Sequence, residues 1–332
     1  MADGYLDARR IRALAAELGL NPSKGRGQNF VIDANTIRRI VAAAVVGAGD
    51  VVMEIGPGLG SLTAGLLATG ARVVAVEIEP VLAQRLPQTM EELQPGSSER
   101  LHVVEADALT IVPADIATAV PADIAAAREV ETEPQGSSEG AVRGGPEGSQ
   151  SPQEGGGEPN PVLAASWEPD VLVANLPYNV AVPVLLTVLE RWESVERGLV
   201  MVQREVAERL VAGPGSKTYG VPSAKLAWHA ESSFAGVVAA SVFWPAPNVE
   251  SGLVRFQRHP APAGADRKET FALIDAAFAQ RRKMLRSGLA ARYGADKVVA
   301  ALAEVGLDAQ VRGERLTVGD FARLSAALGR QE

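Results

Sequence analysis

Short apolar runs alternate with stretches of helical spacing along most of the chain before residue 258. Brief apolar runs bounded by polar or glycine residues are typical of buried strands, and apolar residues three or four apart are typical of amphipathic helices. The predicted strands cover residues 50–56, 72–78, 101–107, 171–175 and 198–203, and the predicted helices cover residues 36–46, 62–70, 80–90 (broken near Pro87) and 181–192. This order predicts a parallel, doubly wound α/β sheet.

The pattern changes in the last quarter of the chain. Strand signals stop near residue 257, and residues from about 268 to 330 have the spacing of amphipathic helices, most clearly over 271–293. We therefore expect an α/β domain over residues 1–258 and a small all-helical domain over residues 259–332.

One segment interrupts the first domain. Residues 133–161 are rich in Gly, Pro, Ser and Glu and have almost no large apolar side chains, so they are predicted to form a disordered insertion. The wider acidic region, residues 113–168, holds ten acidic residues and two arginines. It thus carries a charge of −8, the net charge of the whole chain, and the remainder is close to neutral.

Basic residues cluster outside the acidic region. Residues 9–39 hold seven bases and two acids, and residues 280–292 hold five bases and no acid. Local fields govern the binding of polyanions, so the overall acidity does not exclude a nucleic-acid partner. Solvated charged faces are the alternative interpretation of both clusters.

Composition narrows the possible chemistry. The chain of 332 residues has no cysteine and only three histidines, at widely spaced positions, so neither disulfides nor a thiolate or histidine metal site is expected. We see no apolar run long enough to span a bilayer and no secretory signal in the first residues. These features favour a cytoplasmic protein without a metal.

A glycine-rich turn follows the first strand of the sheet. The sequence MEIGPGLGSLT places Gly56, Gly58 and Gly60 between a strand and a helix, where glycine lets the backbone turn tightly and approach a ligand. A dehydrogenase fingerprint would have glycine at the position of Ser61. The acid Glu54 ahead of the turn suits a cofactor with a cationic amino-acid end, although a plain strand–helix turn is the alternative.

Two further acids end the next two strands. Glu77 can accept hydrogen bonds from both hydroxyls of a ribose, and we favour it over Glu79. Asp107 could accept a hydrogen bond from an adenine amino group, or it could cap a helix. Because parallel strands end at one edge, these groups should line a single crevice, which predicts S-adenosyl-L-methionine as the cofactor.

The strand over 171–175 ends in the sequence NLPY, which would form a target-base pocket. The side-chain oxygen of Asn175 and a main-chain carbonyl at Leu176 could accept the two hydrogens of an adenine amine. Pro177 forces Leu176 into an extended conformation. Tyr178 could stack on the base. An ordinary turn is the alternative, and an aspartate could also have supplied an acceptor.

Several longer segments identify a family. They are GRGQNFVID (25–33), EIGPGLGSLT (54–63), VEIE (76–79), EADAL (105–109), NLPYNV (175–180), VQREVAERLVAGPGSKTYG (202–220), FWPAPNVESGLVRF (243–256) and QRRKMLRSGL (280–289). Together they closely resemble the bacterial small-subunit ribosomal RNA adenine dimethyltransferases, over nearly the whole chain apart from residues 113–168 and the N-terminus.

The resemblance implies a fold, an activity and site residues. It implies a Rossmann-like class I methyltransferase domain that transfers four methyl groups to N6 of two adjacent adenosines near the 3′ end of the small-subunit RNA. The implied partner is that RNA in an immature small ribosomal subunit, and we expect a monomer. The target-base residues are those of NLPY, and the implied cofactor contacts are Asn29, Val31, Gly56, Glu77, Asp107 and Asn175.

Three positions near these motifs need comment. Phe243 matches a second stacking aromatic of the family. Arg26 replaces an aromatic residue that usually precedes GQNF, which puts the N-terminal packing against the target pocket in doubt. Val31 stands where leucine is common, a conservative change.

Three other functions fit parts of the pattern. Methylation of large-subunit RNA is one, although the segments VAGPGSKTYG and QRRKMLRSGL favour the small subunit. A non-catalytic assembly factor is another, although every cofactor position is retained. A nicotinamide-linked dehydrogenase fits least well, given Ser61 and NLPY.

Overall fold

A seven-stranded sheet organises the first part of the protein, and five of its strands are those that the alternating pattern predicts. The computed structural model describes residues 4–20, 29–119 and 167–330, so the predicted disordered insertion lies outside the described residues. The strands are β1 (Phe30–Val31), β2 (Val51–Ile55), β3 (Arg72–Glu77), β4 (Leu101–Glu105), β5 (Val171–Asn175), β6 (Arg197–Gln203), β7 (Ala230–Val238), β8 (Phe243–Trp244) and β9 (Ser251–Arg258).

The helices follow the predicted order with several additions. They are α1 (Ala8–Glu17), α2 (Ala34–Ala44), α3 (Ser61–Leu67), α4 (Pro80–Leu93), α5 (Pro113–Ala119), α6 (Ala181–Arg191), α7 (Arg204–Leu210), α8 (Val221–His229), α9 (Arg267–Ala279), α10 (Leu285–Gly288), α11 (Ala290–Tyr293), α12 (Ala295–Glu304) and α13 (Val318–Gly329).

The sheet is mixed, which corrects the expectation of a purely parallel one. Its strand order is β4-β3-β2-β5-β6-β9-β7. The first five of these strands are parallel, while β9 runs antiparallel to both β6 and β7. Strand β7 escaped prediction because it is an edge strand with many polar and exposed residues and a register shift between Phe234 and Gly236. A separate two-stranded ribbon pairs β1 with β8.

Two helix predictions were wrong, for different reasons. Helix α4 continues through Pro87 to Leu93, because Leu86 and Met90 on its inner face are buried in the core. The predicted helix over 271–293 ends at Ala279, and two short helices follow. Just after that end, the Arg281 guanidinium donates to main-chain carbonyls of residues 216, 217 and 219.

Apolar side chains cover both faces of the sheet. Neighbouring strand residues such as Val52 and Met53 belong to two different clusters, as expected for a strand buried on both sides. The last five helices form another cluster, which includes Tyr219 from the loop before α8. The Tyr219 hydroxyl donates to the Leu316 carbonyl at 2.8 Å. A domain boundary at residue 258 stays a prediction.

Neither a membrane helix nor a metal cluster occurs in the part of the chain that the structure describes. No described helix has the length and apolar character that crossing a bilayer requires. The described His, Asp and Glu side chains form no group of three or more that could hold a metal ion.

Gly198 in β6 provides a test of this packing. A Cβ atom there would lie 2.4 Å from the Leu172 carbonyl oxygen and 2.5 Å from the Phe256 ring. We expect Gly198→Ala to lower the free energy of unfolding by roughly 1–3 kcal/mol, because the sheet must shift to admit the methyl group. Gly47→Ala, where the added atom meets open space, is the matched control. Equal stability of both variants in urea denaturation would contradict the described register.

Candidate active site

The predicted crevice is a cavity at the carboxyl ends of the parallel strands. Its volume is about 380 Å³. It is lined by Asn29, Phe30, Val31, Glu54, Gly56, Pro57, Gly58, Leu59, Ser61, Leu62, Glu77, Ile78, Glu79, Leu82, Asn175 and Pro177. Of the predicted cofactor residues, the cavity brings together Asn29, Val31, Gly56, Glu77 and Asn175 and leaves out Asp107.

The glycines of the turn are required by its backbone and by its neighbours. Gly56, Gly58 and Gly60 have φ values of 69°, 58° and 93°, in the region that favours glycine. A Cβ atom on Gly58 would also lie 2.8 Å from the Phe30 ring. One on Gly60 would lie 2.6 Å from the terminal methyl of Met90. Other residues would therefore strain the turn and displace the surrounding side chains.

Ser61, which the sequence used only to argue against a dehydrogenase, has a definite role. Its hydroxyl donates to the Val31 carbonyl oxygen at 2.7 Å, and the bond is buried. The first residue of α3 thereby holds the strand β1 against the glycine turn. A glycine at this position would lack the hydroxyl and lose this connection.

Glu77 is fixed by the backbone around it. One carboxylate oxygen accepts from the Gly58 N–H at 3.0 Å, and the other accepts from the Glu79 N–H at 3.0 Å. Burial raises the pKa of Glu77, while these backbone bonds partly offset the effect. Since a carboxylate can accept about four hydrogen bonds, Glu77 retains capacity for two ribose hydroxyls.

Glu54 lies deeper in the same cavity. Its side chain is 1% exposed, and its Oε2 atom has no hydrogen-bond partner among the described residues. Burial, together with the nearby Glu77, raises the pKa of Glu54 to about 8. A buried carboxyl group with one oxygen unpaired at a cavity wall is suited to a cationic ligand group, which would restore its ionised form.

The Asn175 side chain is oriented by the segment that contains Asn29. Its Nδ2 atom donates to the Asn29 main-chain carbonyl at 3.1 Å. Because a carbonyl only accepts hydrogen bonds, this contact fixes which end of the amide is nitrogen. The Asn175 Oδ1 atom is therefore the end of the amide left to accept. An aspartate could not make this bond.

The next three residues, Leu176, Pro177 and Tyr178, make different contacts. The Leu176 side chain is buried in the core, and its N–H donates to the Met201 carbonyl. No group among the described residues donates to the Leu176 carbonyl. Pro177 lines the cavity. Tyr178 is half-buried, and its Oη atom lies 2.9 Å from the Ser251 Oγ atom.

Four predicted site residues are not part of the cavity lining: Leu176 and Tyr178, whose contacts are given above, and Asp107 and Phe243. The Asp107 carboxylate accepts from the Leu109 N–H at 2.8 Å, so it stabilises the turn after β4. This contact resembles the capping role that the sequence offered as the alternative. A bond from Asp107 to an adenine stays a prediction. The Phe243 ring is 2% exposed and packs in the core, so its predicted stacking role would require it to leave that position.

Ile78 is an apolar residue of the cavity that was not expected from the sequence. Ile78 is 60% exposed although it lines the site, and it follows Glu77 directly. An exposed large apolar side chain beside the Glu77 carboxylate is suited to contact a flat base. Its position after the acid of the second strand was the available signal. Arg26 and the residues before Asn29 lie outside the described residues.

The basic cluster over 280–292 is only partly available to a polyanion. Arg281 is committed to the Glu314 carboxylate at 3.0 Å and to the three carbonyls described above, so its guanidinium is engaged within the protein. The remaining bases are exposed: Arg282, Lys283, Arg286 and Arg292. Lys217 is exposed as well, whereas Lys225 pairs with Asp275 at 2.8 Å.

Bases of the N-terminal cluster are also partly engaged. Arg10 pairs with Glu92, and the Arg38 guanidinium lies 4.4 Å from the centre of the Tyr5 ring. Lys24 lies outside the described residues. This cluster therefore offers less free positive charge than its composition indicates.

Comparisons with known proteins agree with this geometry. A family model described as ribosomal RNA adenine dimethylase matches residues 20–329. The ribosomal RNA small subunit methyltransferase A of Kineococcus radiotolerans is 50% identical over 331 residues, which cover 97% of this chain and 91% of that protein. The protein of the same name from Cutibacterium acnes is 49% identical over 332 residues, which cover 98% of this chain and 95% of that protein.

Two solved structures share the fold. A dimethyladenosine transferase from Plasmodium falciparum has a TM-score of 0.64 at 19% identity, with 88% of this chain and 94% of that chain covered. The 23S rRNA methyltransferase ErmE has a TM-score of 0.55 at 22% identity, with 91% of this chain and 100% of that chain covered. Both likenesses concern the architecture alone.

The raised pKa of Glu54 predicts a pH-dependent stability. In the folded protein this pKa is about 8, above the ordinary value of 4.5, so the folded state holds a proton that the unfolded chain has lost between these values. Wild type should therefore lose stability relative to Glu54→Gln as the pH rises from 4.5 to 8. The loss is at most about 1.4 kcal/mol per pH unit, and the difference between the two proteins should not change further above pH 8. Urea denaturation from pH 5 to 9 measures it. A constant difference between the two proteins would contradict the assignment.

Proposed function

Because this chain belongs to the ribosomal RNA adenine dimethylase family, we propose that it dimethylates N6 of two adjacent adenosines in the 3′-terminal hairpin of small-subunit RNA. It is an enzyme that depends on S-adenosylmethionine. The names of the relatives, at about half identity over nearly the whole chain, support the small subunit as the target. The observation that carries the proposal is the Asn175 amide, held by the Asn29 carbonyl at the wall of the cavity.

The cavity fits S-adenosylmethionine on two independent observations. Gly56 and Gly58 line the cavity without side chains and have positive φ values, so their main chain is open to a close ligand. Glu54 presents a buried oxygen without a partner, which matches the amino group of the cofactor's methionine part. Glu77 would hold the ribose hydroxyls, Asn29, Val31 and Gly56 would line the cofactor, and Asp107 remains the candidate for its adenine.

When bound, the cofactor supplies a methyl group on a positively charged sulfur. The protein's part is to hold the adenine amine in front of it. The lone pair of that amine is delocalised into the ring, so two acceptors that hold its hydrogens favour the tetrahedral geometry needed for attack. Asn175 Oδ1 and the Leu176 carbonyl would serve as these acceptors, and the proton would then leave to solvent.

Dimethylation places a further requirement on this arrangement. A monomethylated amine keeps only one hydrogen, so the second transfer must proceed with one of the two acceptors unused. Stacking on Tyr178 does not depend on those hydrogens, and base stacking contributes roughly 1–3 kcal/mol. The stacking contact would therefore keep the base in place during the second transfer.

The RNA contacts are proposed to lie mainly on residues 259–332. The exposed bases Arg282, Lys283, Arg286 and Arg292 are on this part of the chain, with Lys217 on the loop that packs against it. A hairpin loop suits the site, because an adenine in a duplex must first be unpaired. We further propose that the enzyme acts in the cytoplasm, as a monomer, on immature small subunits.

Transfer of labelled methyl groups tests the proposal directly. Small and large ribosomal subunits from cells that lack this chain are incubated with the purified protein and labelled S-adenosylmethionine, and the nucleosides are analysed by mass spectrometry. We expect dimethyladenosine at two adjacent positions of the small-subunit RNA. Label in the large subunit would indicate the other target, and binding to small subunits without transfer would indicate an assembly factor.

Asn175→Asp distinguishes the oriented amide from a simple acceptor. The aspartate keeps an acceptor oxygen but cannot donate to the Asn29 carbonyl, and it faces that carbonyl with a negative charge. We expect kcat/KM for small subunits to fall at least about 100-fold. Asn35→Asp, an exposed position in the first turn of α2, controls for the added charge. Near-normal activity of Asn175→Asp would contradict the role of the tether.

A further inference from the structure

The Tyr178 hydroxyl reaches across the end of a strand to a second hydroxyl. Asn175 at the end of β5 lies beside Met201 of β6, and Gln203 at the end of β6 lies beside Ser251 at the start of β9. Tyr178 therefore starts near the end of β5 and contacts β9, two strands away, through the 2.9 Å contact between its Oη atom and Ser251 Oγ.

Ser251 is held firmly in its place. It pairs with Gln203 on one side and with Val238 on the other, so neighbouring strands hold it from both sides. Its side chain is fully buried. The next residue, Gly252, packs so closely on α7 that a Cβ atom would lie 2.6 Å from the Ala207 Cβ. A shift of Ser251 would therefore require the sheet and this helix to move together.

We propose that Ser251 is a positioning residue for the reaction, which holds the Tyr178 side chain in one direction so that the ring stays where the target adenine can stack on it. This inference rests on the proposed function. The chain fixes one end of the ring through Pro177 and the turn after β5, and Ser251 fixes the other end at the hydroxyl. Held at both ends, the side chain cannot swing to another rotamer before the base arrives, so stacking costs less entropy.

The hydroxyl pair acts through geometry rather than through proton transfer. Burial raises the pKa of Tyr178 above its ordinary value, so the phenol stays neutral across the working pH range. It therefore has both a proton to donate and lone pairs that can accept one, as does the serine hydroxyl. No base is needed at this point, because the amine attacks with its own lone pair.

The test uses Ser251→Ala, Tyr178→Phe and the double variant. Each single change leaves one buried hydroxyl without its partner, which lowers stability, whereas the double change removes both groups. Ser223→Ala is the structural control, since Ser223 is a buried serine whose hydroxyl donates to the Arg209 carbonyl at 2.5 Å, outside the cavity lining. The measurements are the melting temperature, kcat and KM with small subunits, and the affinity for S-adenosylmethionine.

We expect kcat to fall about tenfold in both single variants and in the double variant, because a side chain that can move away holds the base in a smaller fraction of complexes. KM for small subunits and cofactor affinity should stay within about twofold of wild type, since RNA contacts elsewhere and the cofactor cavity are unchanged. The double variant should regain stability without regaining kcat.

Recovery of kcat together with stability in the double variant would overturn the inference, as would unchanged kcat in all three variants. A fall in kcat for Ser223→Ala as large as that for Ser251→Ala would do the same, because it would reduce the effect to general stability. Absence of methyl transfer by the wild-type protein would instead contradict the proposed function itself.

Discussion

The hydrogen bond from the Asn175 amide to the Asn29 carbonyl is the interaction on which the site depends. It joins the end of the fourth parallel strand of the chain to a segment that lies 146 residues earlier. Because the carbonyl can only accept, the amide has one possible orientation, with its oxygen as the remaining acceptor. The preference for asparagine over aspartate, which the sequence left open, therefore has a physical reason.

The short strand β1 connects the two halves of the site. Its residue Val31 accepts a hydrogen bond from Ser61 at the start of α3, and Phe30 packs against Gly58 so closely that a side chain there would collide with it. Asn29, directly before the strand, holds Asn175. The glycine turn, where the cofactor is proposed to bind, and the amide, where the target base is proposed to bind, are thus held by three consecutive residues.

Much of this fold could be predicted from the sequence because the signals are local. Five parallel strands show short apolar runs, and the glycine turn and its acids stand at their ends. Strand β7 could not be predicted, since an edge strand such as this one need not be apolar. The helix predicted over 271–293 has a continuous apolar periodicity, which is why it was predicted as one element. That periodicity does not show that Arg281 binds the main-chain carbonyls of a distant loop.

The site residues show the same limit. Asn175 and Glu77 were found from their positions at strand ends, and both line the cavity. Glu54 was noticed as an acid, but its burial and missing partner depend on packing that no local pattern encodes. Ser61 and Ser251 were not singled out from the sequence, because the hydrogen bond that each makes joins it to a residue far away in the sequence, Val31 and Tyr178 respectively.

A crystal structure of the protein with S-adenosylhomocysteine and an adenosine-containing RNA hairpin tests the central claim most directly. The account predicts that the exocyclic nitrogen of the flipped adenine lies within about 3 Å of both Asn175 Oδ1 and the Leu176 carbonyl, while the Asn175 Nδ2 bond to Asn29 persists. An adenine bound in the cavity with its amine turned away from residues 175 and 176, or an Asn175 released from Asn29, would contradict it.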